Sequence, residues 1–189
     1  MTRAFSSDPV RPELLAELVD LASRAPSAGK TQGWHVVVLS GEETSRFWDV
    51  TLPGPERAGF AFPRLLDAPI VALPLADPQA YVDRYSEPDK RGSGLGRSTD
   101  AWPAPYWTID TAMAVMTLLH AAEDAVLGAL LFGVFEREAE LREALGIPDT
   151  MQLLGAVALG YPVPDESRAG GSASRRRRAP DEIIHHGRW

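Results

Sequence analysis

The stretch Arg24-Ala-Pro-Ser-Ala-Gly-Lys-Thr-Gln-Gly-Trp34 lies between an amphipathic helix and the apolar run His35-Val-Val-Val-Leu39. Pro26 stops the helix, because its ring cannot continue the hydrogen-bond ladder. Ser27, Ala28 and Gly29 are small enough for a planar or phosphorylated ligand to approach the backbone. Lys30, Thr31 and Gln32 then supply donors, so the segment reads as a cofactor loop, against the alternative of a polar connection that binds nothing. Gly29-Lys30-Thr31 imitates the end of a nucleotide P-loop. However, the first glycine of that pattern would fall at Arg24, and this loop runs from helix to strand rather than from strand to helix.

On the N-terminal side, Pro12 opens a helix to about Ser23, with Leu14, Leu15, Leu18, Val19 and Ala22 on one stripe. On the C-terminal side, Trp34 to Leu39 reads as a buried strand. Ser40 and Glu43 form a capping-box pattern, predicting a short helix that carries Phe47 and Trp48 inward. Ala68 to Leu75 is a second strand in which Pro69 and Pro74 limit pairing. Residues 76–106 are polar, rich in Pro and Gly, and without a usable period, and are expected to form an irregular lid that shapes a pocket. Trp107 to Asp124 is a helix apolar almost all round, as suits the centre of a fold or of a dimer. A third strand over Leu127 to Val134, a surface helix over Glu136 to Leu145 stopped by Gly146 and Pro148, and a fourth strand over Leu153 to Leu159 complete an α+β pattern.

The chain has 189 residues, 44% of them hydrophobic, enough for one domain with a substantial core. Without cysteine there is no disulfide framework, thiolate metal site or cysteine nucleophile. The opening Met-Thr-Arg-Ala-Phe-Ser-Ser-Asp-Pro lacks the apolar region of a signal peptide, giving the expectation of a cytoplasmic protein. The uncharged run Thr111 to Ala122 is twelve residues, short of the roughly twenty a membrane span requires. A net charge of -7 argues against general nucleic-acid binding. The four histidines lack ligand spacing, so no metal is expected. No Gly-x-Ser-x-Gly elbow is present, which disfavours a hydrolase.

Together these segments resemble the nitroreductase family of FMN-dependent oxidoreductases, which carries a similar Arg-Ala-Pro-Ser-Ala-Gly-Asn-Thr-Gln-Pro-Trp sequence. The resemblance extends over nearly the whole chain. It takes in Arg3-Ala4-Phe5, the helix after Trp107, the Leu127-Gly128 turn, Leu159-Gly160-Tyr161-Pro162, and the basic run closing in Arg176-Arg-Arg178-Ala-Pro180. It implies a single nitroreductase-like domain over 1–189 with a mostly antiparallel sheet surrounded by helices, and a homodimer. The cofactor would be FMN, the electron donor NAD(P)H, and the acceptor a small electron-poor molecule such as a nitroaromatic or quinone.

The resemblance also implies site residues. Arg3 matches the last basic residue of the family's N-terminal phosphate-binding motif. Arg176 and Arg178 match two basic residues of the tail, 164–189, that hold the same phosphate, a task suited to the planar fork of arginine. Taken alone, the run from Arg175 to Arg178 is equally a solvated basic stretch. Pro26, Ser27, Ala28 and Lys30 would reach the flavin of the partner subunit. Here the family's Asn is Lys30, one of two lysines in the chain, and the Pro after Gln32 is Gly33. The backbone at Leu131 and Gly133 corresponds to the segment over the flavin ring. Asp110 stands where members carry Gln or Asp near the cofactor, or is an ordinary first-turn carboxylate. Tyr106 and Trp107 are either stacking partners or core aromatics. No side chain is nominated as an essential acid or base, because the flavin does the bond chemistry. The alternative reading is a flavin carrier or sensor without reductase turnover.

Overall fold

The computed structural model describes residues 1–164 and 174–189, so part of the expected tail, 165–173, lies outside the described residues. The five strands are β1 (Trp34–Ser40), β2 (Ile70–Ala76), β3 (Gly128–Phe132), β4 (Gln152–Leu153) and β5 (Ala156–Gly160), and every pairing is antiparallel. The order is β1-β2-β5-β3, with β4 also on β2. Among the described residues the α-helices are α1 (Pro12–Ala22), α2 (Thr44–Thr51), α3 (Gly54–Arg57), α4 (Pro78–Ser86), α5 (Tyr106–Asp124) and α6 (Glu138–Leu145).

Alternation along the strands divides the core in two, because successive side chains of a strand point to opposite faces. Val71, Leu73 and Leu75 of β2, with Ala156 and Ala158 of β5, face Phe47 and Trp48 of α2 and Leu141 of α6. Ile70 and Ala72, with Val157 and Leu159, face Leu18 and Ala22 of α1 and Val115, Leu118 and Ala122 of α5. All seven residues of β2 are buried, as its central place requires. Each large aliphatic side chain sealed there stabilises the fold by about 1.5–3 kcal/mol.

Pro74 is a proline in a central strand, and the topology explains how it is tolerated. β5 pairs only Ile70 to Ala72, and β4 pairs Leu75 and Ala76, with the register slipping by one residue between Ala72↔Val157 and Leu75↔Leu153. Pro74 sits opposite this bulge, and its carbonyl accepts the Leu154 N–H at 3.1 Å. The missing N–H therefore points into the irregular gap and removes no ladder bond. Gly155 forms the gap with φ +125°, and a Cβ there would stand 2.5 Å from the Phe132 carbonyl oxygen. The expected single fourth strand is thus two short ones. A conflict with a residue elsewhere in the sheet breaks it, which local composition does not reveal.

The capping box is present, with the Ser40 N–H donating to Glu43 Oε2 at 3.3 Å ahead of α2, whose Phe47 and Trp48 are buried. Residues 76–106 depart from expectation. They contain α4, capped by Asp77, whose Oδ1 accepts the N–H of Gln79 at 2.9 Å and of Ala80 at 3.3 Å, followed by three single-turn 3-10 segments. The nine-residue helix buries only Tyr81, too little apolar repetition to show a period. α5 buries one face, while Ile109 (41% exposed) and Met116 (47%) form part of an outward apolar stripe. No helix among the described residues is long and apolar enough to cross a membrane.

Candidate functional site

The loop after α1 is built on unusual backbone. Gly29, Lys30 and Gln32 have φ of +61°, +57° and +55°, a region that costs most L-residues about 1–2 kcal/mol and that Asn and Gly tolerate best. Such strain persists only where surrounding contacts hold it. Within the loop, the Thr31 hydroxyl donates to the Ala28 carbonyl at 2.6 Å, and the Gln32 N–H donates to Ser27 Oγ at 3.1 Å.

From outside, Asp110 of α5 fastens the loop. Its Oδ2 accepts the Ala28 N–H at 2.8 Å and the Tyr81 hydroxyl at 2.8 Å. The carboxylate is 6% exposed, so both donors serve to keep it solvated by protein. Tyr81 is held protonated: burial, then the hydrogen bond and charge of Asp110, push its phenol well above the ordinary value. Asp110 thus supports the loop from within, with the atom nearest the loop already engaged by two donors.

α4 supplies the second support. Arg84 Nε donates to the Gly29 carbonyl at 2.9 Å, while its two terminal nitrogens grip Asp89 at 2.8 and 2.9 Å. The Tyr85 ring lies against Gly29, where a Cβ would stand 2.9 Å from Cε2. Gly33 similarly abuts Tyr81, at 2.8 Å for a virtual Cβ, so Gly33 in place of the family's proline meets a tight helix contact. Tyr81, Arg84 and Tyr85 follow i, i+3, i+4 spacing and share a helix face. Sequence reasoning missed them because α4 itself was unread. The Asp77-Pro78 pair, cap followed by first-turn proline, was the available signal.

The remaining expected residues lie elsewhere. The Thr2 N–H donates to the Ala129 carbonyl at 3.0 Å, bringing the N-terminal segment along the outer edge of β3. Arg3 follows, with its guanidinium 5.3 Å from the centre of the Phe62 ring. Past Ala129 the edge emerges, and Leu131 is 38% exposed and Gly133 exposed. The Phe135 ring leans over Gly133 but is itself 94% exposed. In the tail, Arg176 pairs with Glu182 at 2.6 Å, and Arg178 donates to the Glu182 carbonyl.

Five of the expected groups line three separate cavities. Pro26, Ser27 and Asp110 line a small space of about 10 Å³. Leu131 lies in an apolar groove of about 310 Å³ with Ala112 and Met116 of α5. Gly133 lines a third cavity, of about 280 Å³, among Trp48, Phe60, Phe132 and Phe135.

The Nitroreductase family pattern matches residues 1–161. A protein of Archaeoglobus fulgidus, provisionally named NADH dehydrogenase/NAD(P)H nitroreductase, is 28% identical over 191 residues, covering 99% of this chain and 92% of that one. A Nitroreductase Family Protein from Streptococcus pneumoniae TIGR4 superposes with a TM-score of 0.73 at 19% identity, covering 97% of this chain and 94% of that one. An FMN-dependent Nitroreductase from Clostridium difficile R20291 gives 0.65 at 16% identity, covering 100% and 94%. With the antiparallel sheet, the surrounding helices and the loop after α1 in place, the chain belongs to the nitroreductase family.

Proposed function

We propose that this chain is a cytoplasmic, homodimeric FMN-dependent oxidoreductase that passes electrons from NAD(P)H to a small electron-poor acceptor, nitroaromatic or quinone-like. The observation that carries the proposal is the strained loop at 29–32, held by Asp110 and Arg84, with Pro26, Ser27 and Asp110 lining one cavity while Leu131 and Gly133 each line another. Such a division suits a site completed by a second copy. The relative named for NAD(P)H nitroreductase and the FMN-dependent structural neighbour support the same reading.

The residues present fit FMN. Arg3, Arg176 and Arg178 provide cations for the phosphate, Glu182 being the anion that it would displace from the tail. The β3 end at Leu131 and Gly133 offers exposed backbone to a ring edge, and the exposed Phe135 is free to swing aside. Pro26, Ser27, Ala28 and Lys30 approach the cofactor of the second copy, with Lys30 adding positive charge that favours an anionic reduced ring. Asp110 holds the loop in place. Bound FMN supplies the two-electron redox chemistry.

The test is the visible spectrum of the protein after loading with FMN and desalting, followed by anaerobic addition of NADPH or NADH. Retained flavin absorbance that bleaches is the expected result. Retained absorbance that neither nucleotide bleaches would point to the second reading, a flavin carrier or sensor. Absence of retained flavin overturns both.

A further inference from the structure

Five aromatic rings form a continuous path beside the loop. Tyr81, 1% exposed, lies 5.7 Å from Trp102 and 6.3 Å from Trp107 between ring centres. Trp102 in turn lies 4.6 Å from Tyr85, 5.5 Å from Tyr106 and 6.5 Å from Trp107. Tyr106, 37% exposed, brings the path to the surface. Most of these contacts are edge-on, a favourable packing of aromatic quadrupoles. Besides helping to anchor the loop through Asp110, the phenol at the inner end donates to a buried carboxylate.

That inner end carries distinct chemistry. A tyrosine loses an electron readily only when its proton leaves as well, and the Tyr81 hydroxyl already donates to Asp110 Oδ2 at 2.8 Å. Among the described residues, Tyr81 is the tyrosine with a carboxylate acceptor in place. An oxidised indole is a stronger oxidant than the tyrosyl radical formed when the proton has an acceptor, and electron flow therefore runs outward from Tyr81 through Trp102 or Trp107. We propose that Tyr81, with Asp110, is a one-electron redox site wired to the surface by Trp102, Trp107 and Tyr106. In the step, one electron passes from the Tyr81 ring to the oxidised indole, which returns to its neutral form. The phenolic proton moves to Asp110 Oδ2, leaving a neutral tyrosyl radical and a protonated carboxyl group. Reduction by one electron, with return of the same proton, restores the pair. The oxidant is a one-electron acceptor, such as a photogenerated metal complex or an organic radical, arriving at the exposed Tyr106 edge.

The site requires no flavin, so its failure and the failure of the oxidoreductase reading are separable. The experiment uses the full chain without flavin, a ruthenium tris(bipyridine) photosensitiser and a cobalt(III) ammine as sacrificial acceptor. Radicals are trapped by freezing and read by electron paramagnetic resonance. A tyrosyl signal is expected in the parent protein, reduced several-fold in Tyr81→Phe with tryptophan radical rising in its place, and retained in the folded control Tyr161→Phe. Infrared difference spectra of the unaltered protein supply a readout that no misfolded variant can confuse, a protonated-carboxyl band growing with the radical. An unchanged tyrosyl yield in Tyr81→Phe, or a radical without the carboxyl band, overturns the proposal.

Discussion

Asp110 and Tyr81 meet through one oxygen: the Tyr81 hydroxyl donates to Asp110 Oδ2, the atom that also takes the Ala28 N–H. A residue of α4 and a residue of the strained loop thus share a single acceptor on α5. Loss of the carboxylate strands two donors at once.

Asp110→Ala is therefore expected to cost about 2–6 kcal/mol, each of the two donors left unpaired being worth roughly 1–3 kcal/mol. The shift in urea midpoint measures it. The pair also fixes the sign of an alkaline effect. Because the folded state raises the Tyr81 phenol above its unfolded value, its contribution is complete below about pH 10 and is lost as pH climbs beyond it. Midpoints measured from pH 8 upward should fall above that point, and the fall should be shallower in Tyr81→Phe.

At Lys30 the family's asparagine is better suited to φ +57° than lysine is. Lys30→Asn should raise stability by about 1 kcal/mol, or roughly 2–4 °C in Tm for a chain of this size. An unchanged or lowered Tm in calorimetry would show that the left-handed backbone is not where the cost lies.

Arg84→Lys keeps the charge and removes the directed Nε bond to the Gly29 carbonyl. The core is untouched, so Tm should move little, whereas FMN should dissociate roughly 2–10-fold more readily, the worth of one ordinary hydrogen bond. Fluorescence titration with FMN reads this directly, and equal affinity would detach α4 from the cofactor loop.

Gly155→Ala places a methyl group against the Phe132 carbonyl in a backbone region foreign to L-residues. A cost of about 1–3 kcal/mol is expected, seen as a lower urea midpoint. Gly54→Ala, where a Cβ meets open space, is the control.

Elements with a long repeating pattern were legible in the chain. The α1 stripe, the capping box before α2, and α5 stand where the sequence puts them, and so does β1, though as a half-buried edge strand with only Leu39 buried rather than the buried strand expected. What escaped depends on distance along the sequence. The bond from the Ala28 N–H to Asp110 spans 82 positions, and no local pattern encodes it. The bulge at Gly155 lies opposite Pro74 of another strand, and the Phe132 carbonyl beside it leaves no room for a Cβ. In α4 the informative residues serve the loop rather than the core, so they carry no apolar rhythm. The groups expected around FMN were nameable by resemblance, but their distribution over separate cavities was not.

In the proposed homodimer, that distribution has a consequence beyond a single polypeptide. When two copies each contribute half of every site, a chain crippled at Arg84 and another crippled at Arg176 and Arg178 are complementary rather than equally defective. Paired together, they place both lesions in one site and leave the other whole. Mutant alleles that are each inactive alone would then rescue one another in the same cell, a genetic signature of a site shared between copies.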